Sequence, residues 1–334
     1  MNNIYFDLLY SSTLLEGTNS LEDFHLWLSE RLHQGIYRVD QARLDDLDKW
    51  SLNKTDGFYG HKSGKFFTVR GLDVYHEVDG FEKSWTQIIV NQSDQGILGF
   101  LAKKIDGVIH LLVQAKMEPG NIGFIQISPT VQSTKSNYTR VHEGRGTKFI
   151  EYFLEQPQGK TIFCQLRSEQ GARYFRKRNQ NIVVLLDEGQ KVEKDENFYW
   201  LTLGQLKELH KIPNLVHLDC RSIIGSMPYS IPLGGNLINE VTGNNLMLDS
   251  LQCLDSSAIN SITDLQNWFT KEKMRNIKHT SLVHLQKANS WSYDGVSIKH
   301  ESGKFFDIIG VNVYAPEREV SSWSQPLIKC ADGG

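Results

Sequence analysis

Apolar and polar positions change period several times along this chain, and each change marks an element. Ser20 precedes Asp23 by three positions, the spacing of a capping box, and Phe24, Trp27, Leu28 and Leu32 recur at helical intervals until Gly35. Arg43 to Trp50 is expected as a second short helix with Leu44 and Leu47 inward. From Phe66 the rhythm becomes that of strands, in FFTVRGLDVY and then SWTQIIV. Gly96 to Ile105 and Val108 to Met117 flank Asp106-Gly107, the pair that most strongly marks a hairpin. A further apolar run spans Ile122 to Ile127. Thr147 to Glu155 has Phe149, Ile150, Phe153 and Leu154 at helical spacing. Strands are expected over Thr161 to Leu166 and Asn181 to Leu186, and helices over Thr202 to His210 and Val216 to Ile224. The order lacks a regular strand-helix-strand alternation, which predicts an α+β fold with a mixed or antiparallel sheet and flanking helices.

The pattern then starts again. Asp264-Leu265 with Trp268 matches Asp23-Phe24 with Trp27, and Trp291-Ser292 matches Trp50-Ser51. Ser302-Gly303-Lys304-Phe305-Phe306 repeats Ser63-Gly64-Lys65-Phe66-Phe67 residue for residue. Gly310, Val313-Tyr314, Trp323 and Gln325 follow Gly71, Val74-Tyr75, Trp85 and Gln87 in the same order. Such a match predicts duplication. The expected division is a complete first copy over residues 1–235, and a linker with an incomplete second copy over 236–334. An unfinished sheet leaves apolar faces and an open edge. The stretch after about residue 240 is therefore expected to dock on the first domain, to be completed by another chain, or to lack order.

Bulk properties narrow the function. The 334 residues carry a net charge of −3, with 40% hydrophobic and 22% charged positions, and so give no general electrostatic reason to bind nucleic acid or an anionic membrane. Cys164, Cys220, Cys253 and Cys330 are far apart, with no zinc or disulfide spacing, which fits a reducing cytoplasm. The start, MNNIYFDLLYSS, lacks the features of a signal peptide, and no apolar run reaches the roughly 18–20 residues that cross a bilayer.

Candidate chemistry gathers between Val108 and His142. Gln114, Lys116 and Glu118 alternate onto one face of a strand or its extension, where three polar groups must meet one another or a polar ligand. Glu118 precedes Pro119-Gly120, a turn that can hold its carboxylate at the mouth of a cleft, or simply a surface turn. His142 is a candidate proton carrier or a structural histidine. Lys116 can stabilise an enolate or pair with Glu118; Tyr138 can donate a proton or only pack. Arg173, Arg176 and Arg178 lie in a basic run with Tyr174 and Phe175. If it is helical, Arg173 and Arg176 share a face and can grip a diphosphate, the alternative being a solvated face. No phosphate loop, HExxH, GxSxG or metal-spaced His/Cys cluster is present, so nucleophilic and metal catalysis lack positive support.

Five motifs together carry a family resemblance: LVQAKMEPGN (Leu112 to Asn121), SPTVQST (Ser128 to Thr134), SNYTRVH (Ser136 to His142), SEQGARYFRKRN (Ser168 to Asn179) and WLTLGQL (Trp200 to Leu206). With WSQPL at Trp323 to Leu327, the chain resembles the NDP-hexose 2,3-dehydratases of deoxysugar biosynthesis. The resemblance implies a duplicated, Nudix-like α+β fold and an NDP-4-keto-6-deoxyhexose substrate, commonly with thymidine as nucleoside. It further implies a lyase without a redox cofactor, a homodimer, and a separate 3-ketoreductase that consumes the 3,4-diketo product. On that scheme Glu118 or His142 removes the C3 proton, Lys116 steadies the enolate and Tyr138 assists departure of the C2 hydroxyl. Gln114, Gln132, Asn137 and Arg140 orient the sugar, and Arg173, Arg176 and Arg178 hold the diphosphate. The Nudix box is absent, which disfavours a metal-dependent diphosphate hydrolase. A non-catalytic nucleotide-sugar-binding fragment or subunit is the alternative, because the second copy is incomplete.

Overall fold

A computed structural model describes residues 4–141, 144–155, 157–227 and 258–330. Residues 236–257, part of the expected linker and second copy, lie outside the described residues, as does Cys253.

The structure is a mixed α+β fold. Its central sheet has seven strands: β6 (Gly96–Ile105), β7 (Val108–Met117), β8 (Ile125–Pro129), β9 (Val131–Ser133), β10 (Lys160–Ser168), β11 (Arg178–Leu185) and β12 (Phe198–Thr202). The order is β10-β11-β6-β7-β12, with β8 added to β7 and β9 to β6. Only β11 and β6 run parallel; every other pair in this sheet is antiparallel. The β6–β7 hairpin turns at Asp106 and Gly107, whose φ angles of 49° and 82° are those that the Asp-Gly pair tolerates.

One face of this sheet presents Phe100, Ala102, Ile109, Leu111 and Val113 to helices α1 (Ile4–Thr13), α2 (Leu21–Gln34), α4 (Leu203–Leu209) and α5 (Leu218–Ile224). The short helix α3 (Lys135–Tyr138) follows β9. The opposite face packs Ile97, Leu101, Leu112, Ile182 and Val184 against Phe149, Tyr152 and Phe153. Helix α1 has no clear sequence signature. It is fixed by Ser11, fully buried, whose hydroxyl donates to the Ile109 carbonyl at 2.5 Å and accepts from the Leu203 amide at 3.0 Å. Helix α2 has the expected capping box of Ser20 and Asp23 and ends at Gly35.

Among the described residues two further sheets have five strands each. The first holds β2 (Trp50–Asn53), β3 (Phe58–His61), β4 (Thr68–Val78), β5 (Phe81–Asn91) and β13 (Asn276–Val283). The second holds β14 (Trp291–Tyr293), β15 (Ser297–His300), β16 (Asp307–Tyr314), β17 (Ser322–Lys329) and β1 (Arg38–Ala42). Each sheet thus takes one strand from the other segment of the chain. The registers correspond: Ala42 lies opposite Gly310, and Val283 lies opposite Gly71. Helix α6 (Ile262–Arg275) precedes β13 as α2 precedes β1, and it repeats the capping box at Ser261 and Asp264. Leu44, Tyr59, Val69 and Ile88 of one segment form a joint core with Leu285, Ile298 and Ile308 of the other. The later segment is therefore docked, and Val311 and Val313 of β16, with Ala315 just after it, also reach the core under the seven-stranded sheet.

Three local expectations need correction. Residues 43–50 form only a 3-10 turn, Leu44–Asp46, before β2; Leu44 and Leu47 do point inward, but Lys49 has a left-handed φ of 61° that ends any helix. Residues 147–155 likewise make only the turn Ile150–Tyr152, because burying Phe149, Tyr152 and Phe153 together is met by a bent chain with Phe149 at φ 60°. Residues 216 and 217 belong to a bridge with Ile127, so α5 starts at Leu218.

The strand exchange depends on close backbone approach at two glycines. A Cβ on Gly71 would meet the His284 carbonyl oxygen at 2.7 Å, and one on Gly310 would meet the Ala42 carbonyl oxygen at the same distance. Gly71→Ala and Gly310→Ala are each expected to lower stability by about 1–3 kcal/mol, as overpacking does. Urea unfolding checks this; two variants as stable as the parent would show that the exchanged strands tolerate displacement.

Candidate functional site

The hydrogen-bond needs of the chain after β7 build one side of the site. Glu118 leaves the strand, accepts at its carbonyl from the Asn121 amide at 3.0 Å, and donates its own amide to Phe124 at 3.3 Å. The opposite side is the turn between β10 and β11, closed by the Glu169 amide donating to the Lys177 carbonyl at 3.0 Å. Residues 215–217, bound to Ile127 as a bridge, bring the start of α5 between them. The hairpin between β16 and β17 completes the enclosure: Arg145 donates its amide to the Glu319 carbonyl at 2.8 Å, and Arg318 donates to the Met117 carbonyl.

These elements enclose a cleft of about 850 Å³, within the range of small-molecule sites. Aromatic rings on it are Trp50, Phe66 and Phe67 from the first segment and Trp323 from the second. Trp50 and Phe67 lie 5.0 Å apart between ring centroids, and the Trp50 indole donates to the Ser324 carbonyl at 2.8 Å. Ionisable groups on it include Glu118, Glu169, Lys177, His217, Asp219 and Arg318.

The ionisable groups fall into three clusters. In the first, Glu118 Oε1 receives Lys116 Nζ at 3.1 Å and Arg318 Nη1 at 3.0 Å, while Arg318 Nε reaches Glu319 Oε2 at 3.0 Å. Burial alone would raise the Glu118 carboxyl, but the Arg318 and Lys116 charges outweigh it and hold the group at about 2. In the second, Lys177 donates to the Asp94 carbonyl and lies 3.6 Å from its carboxylate. Burial pulls the Lys177 ammonium down, and the Asp94 charge opposes the shift. Beside it Asn179 donates to Glu169 at 2.5 Å and accepts from the Gly96 amide at 3.0 Å, which fixes both side chains.

The third cluster is the pair His217 and Asp219. His217 Nδ1 accepts from the Asp219 amide at 3.2 Å and lies 3.4 Å from Asp219 Oδ2. Burial lifts the Asp219 carboxyl from its ordinary 3.8 to about 7; the nearby Glu169 and Glu118 charges add to the rise and Lys116 opposes it. Burial pushes the His217 imidazole down, so the ring is neutral near pH 7. A carboxyl that gains and loses a proton near neutrality, on the wall of a cleft, is suited to general acid–base work.

Only part of the expected site comes together. Glu118, Gln132 and Asn137 line the cleft. Lys116 does share its face with Glu118 and pairs with it, but lies behind the wall, donating to the Gln132 carbonyl. Gln114, Tyr138 and Arg140 are not on the cleft surface, Arg140 being exposed. The basic run is a turn rather than a helix, with Arg176 at φ 51°. Arg173 stacks on Phe306 and Arg176 on Phe175, each guanidinium 4.9 Å from the ring centroid, and Arg178 is exposed on β11; none of the three lines the cleft. Lys177, the residue between them, does. His142 lies outside the described residues. Sequence reading missed His217, Asp219, Glu169, Lys177 and Arg318. The signal available for Asp219 was its place one residue into a helix after His217, and it is a weak one.

Comparison with known proteins agrees with the motifs. A family model described as NDP-hexose 2,3-dehydratase matches residues 21–227 and 262–334. Over 315 residues the chain is 39% identical to a dTDP-4-dehydro-6-deoxy-alpha-D-glucopyranose 2,3-dehydratase of Saccharopolyspora spinosa, covering 93% of this chain and 64% of that protein. Proteins of the same description from Amycolatopsis orientalis and Streptomyces violaceoruber are 36% and 40% identical, with 94% and 91% of this chain covered. The chain spans 62% and 66% of their respective lengths, about two thirds of the relatives it matches. Among solved structures, an ADP compounds hydrolase is 11% identical, covers 57% of this chain and 90% of its own, and has a TM-score of 0.31. A likeness at that level carries no argument.

The Asp219 environment predicts a pH effect on stability. A carboxyl whose folded value is raised from 3.8 to about 7 binds its proton more tightly folded than unfolded, so its contribution is present below about pH 4 and is lost as pH rises towards 7. Asp219→Asn, permanently uncharged, is expected to gain on the parent in melting temperature as pH rises from 4 to 7 and to hold that gain above it. Thermal melts across this range check the effect; a difference independent of pH would mean that Asp219 titrates normally.

Proposed function

The chain belongs to the NDP-hexose 2,3-dehydratase family, and from that premise we propose that the cleft removes water across C2 and C3 of an NDP-4-keto-6-deoxyhexose, with a dTDP-linked 4-keto-6-deoxyglucose as the substrate. The observation that carries this reading is Asp219, a carboxyl poised near neutrality in a cleft that also presents His217 and Lys177. The C4 ketone acidifies the C3 hydrogen. Asp219 accepts that proton, and the electron pair passes into the C3–C4–O system as an enolate, whose oxygen the Lys177 ammonium stabilises. The C2–O bond then breaks, the proton held by Asp219 leaves with the hydroxyl as water, and the enol tautomerises to the 3,4-diketo-2,6-dideoxy sugar. His217 Nδ1 accepts from the Asp219 amide and lies 3.4 Å from Asp219 Oδ2, which fixes the start of α5 and with it the place of the carboxyl.

Glu118 is a poor base in this scheme, since its carboxylate is committed to two cations and held at about 2. The roles first expected of Glu118 and Lys116 therefore pass to Asp219 and Lys177, while Gln132 and Asn137 keep theirs, orienting the sugar. The half-buried rings Phe66 and Trp323 on the cleft suit the nucleoside base; Lys49, also on the cleft, can meet the diphosphate.

The reading includes a duplicated, Nudix-like architecture. Residues 21–91 and 262–329 are two copies of one unit that exchange strands, and the division expected at residue 235 separates them along the chain. It also includes a homodimer, a cytoplasmic location and a 3-ketoreductase that consumes the diketo product. A partner surface is available on α6, where Leu265, Trp268 and Phe269 are exposed and no residue is buried.

Trapped turnover tests the assignment. The chain is incubated with dTDP-4-keto-6-deoxyglucose, a 3-ketoreductase and NADPH, and loss of the C2 oxygen is followed by mass spectrometry. The parent is expected to form the deoxygenated product, and Asp219→Asn to slow it by roughly 10²–10⁴-fold. An Asp219→Asn variant within a few-fold of the parent would exclude this base. Substrate bound by the parent but never converted would leave a non-catalytic nucleotide-sugar binder.

A further inference from the structure

Glu169 is a half-buried carboxylate on the cleft wall, and its place is fixed from two sides. Its amide donates to the Lys177 carbonyl at 3.0 Å, which sets the two residues opposite each other across the β10–β11 turn. Asn179 Nδ2 donates to Glu169 Oε1 at 2.5 Å, and Asn179 Oδ1 accepts from the Gly96 amide at 3.0 Å. Lys177 and Asn179, two residues apart at the start of β11, are thus both tied to the start of β6, Lys177 through the Asp94 carbonyl and Asn179 through Gly96. The Lys177 ammonium and the Glu169 carboxylate belong to one small braced unit. Among the described residues no ion pair engages Glu169, and its Oε2 has no protein partner, whereas Glu118 is committed to Lys116 and Arg318.

An ionised carboxylate only accepts hydrogen bonds, so its complement in a ligand is a hydroxyl and not a phosphate or a ketone. The sugar ring of the proposed substrate carries hydroxyls at C2 and C3. The C2 oxygen departs as water and must gain a proton, so an acceptor is misplaced there. The C3 oxygen stays, and it is the neighbour of the C4 oxygen that Lys177 meets. Resting on that placement of Lys177, we infer that Glu169 accepts the C3 hydroxyl and makes the cleft selective for a 4-keto sugar that bears one, with Asn179 as the positioning residue that aims the carboxylate. Donor and acceptor together read the hydroxy-ketone as a unit. The Glu169 charge also acts on Lys177 and on Asp219, pushing each upwards, which agrees with a carboxylate set among the groups around the reacting carbons. A sugar without the C3 oxygen strips water from the carboxylate and offers it no donor, and a site built to bond a hydroxyl rejects the analogue that lacks it.

Binding tests this without turnover, in protein that carries Asp219→Asn so that no substrate is consumed. Calorimetry compares dTDP-4-keto-6-deoxyglucose with the analogue that has hydrogen in place of the C3 hydroxyl, and dTDP alone serves as the control. With Glu169 present the hydroxylated sugar is expected to bind roughly 10–100-fold tighter, the range of a hydrogen bond to a charged group. Glu169→Ala is expected to close most of that gap and to leave dTDP binding as it was. Asn179→Ala is expected to close part of it; an Asn179 that lowers the melting temperature on removal but leaves the ratio in place has no positioning role. Glu169→Gln, of the same shape, carries the test if Glu169→Ala does not fold, because its amide can put a donor where the free oxygen stood. A ratio that survives in the folded Glu169 variant overturns the inference, as does equal binding of the two sugars while Glu169 is present. If the preference vanishes with Glu169 in a protein whose parent never eliminates water, the proposed reaction fails and the reading of Glu169 stands.

Discussion

Everything in this structure depends on the exchange of strands between the two segments. An edge strand offers a row of unpaired amides and carbonyls that must find partners. Here β4 completes its pairing with β13, and β16 with β1, in corresponding registers. The exchange is anchored by a shared core of Leu44, Tyr59 and Val69 with Leu285, Ile298 and Ile308. Its consequence is positional. Because β16 is held in this way, the hairpin that follows it reaches the end of β7 and closes the cleft with Arg318, Glu319 and Trp323. Neither segment alone supplies all of the cleft's walls.

The cleft then sorts its ionisable groups by how well each is compensated. Glu118 meets two cations and stays ionised, a fixed feature of the wall. Asp219 meets no cation within ion-pair distance among the described residues other than the weakly basic His217, and burial keeps its proton affinity high. Two carboxyls in one cleft are thus driven to opposite ends of the titration range by their neighbours, the arrangement by which acid–base chemistry is divided between like residues. Lys177, buried and lowered, remains a donor held in place by Asp94.

Much of the fold was legible because its causes are local. The Asp106-Gly107 hairpin, the Ser20–Asp23 cap and the strand rhythm after Phe66 each follow from a few adjacent residues, and each is present. The repeated SGKFF falls before β4 in one segment and before β16 in the other, but no local pattern tells a strand to pair with the other segment rather than its own. Helix spacing misled at residues 43–50 and 147–155, where burial of Leu44, Leu47, Phe149 and Phe153 is met by turns. The site was read in part. Lys116 and Glu118 were rightly placed on one face, yet that they neutralise each other together with Arg318 depends on a residue 200 positions away. Asp219 was overlooked because its character comes from burial beside Glu169, which no spacing rule encodes.

The central claim is that this cleft abstracts the hydrogen at C3 of a 4-keto sugar. Its most direct measurement is proton exchange, with the chain held in D₂O with dTDP-4-keto-6-deoxyglucose and the C3 signal followed by NMR without any reductase. The account predicts loss of that signal, by exchange or by elimination, at a rate that depends on the protein and rises with pH through the region near 7 where Asp219 ionises. A C3 signal that persists while the nucleotide sugar is demonstrably bound would contradict it.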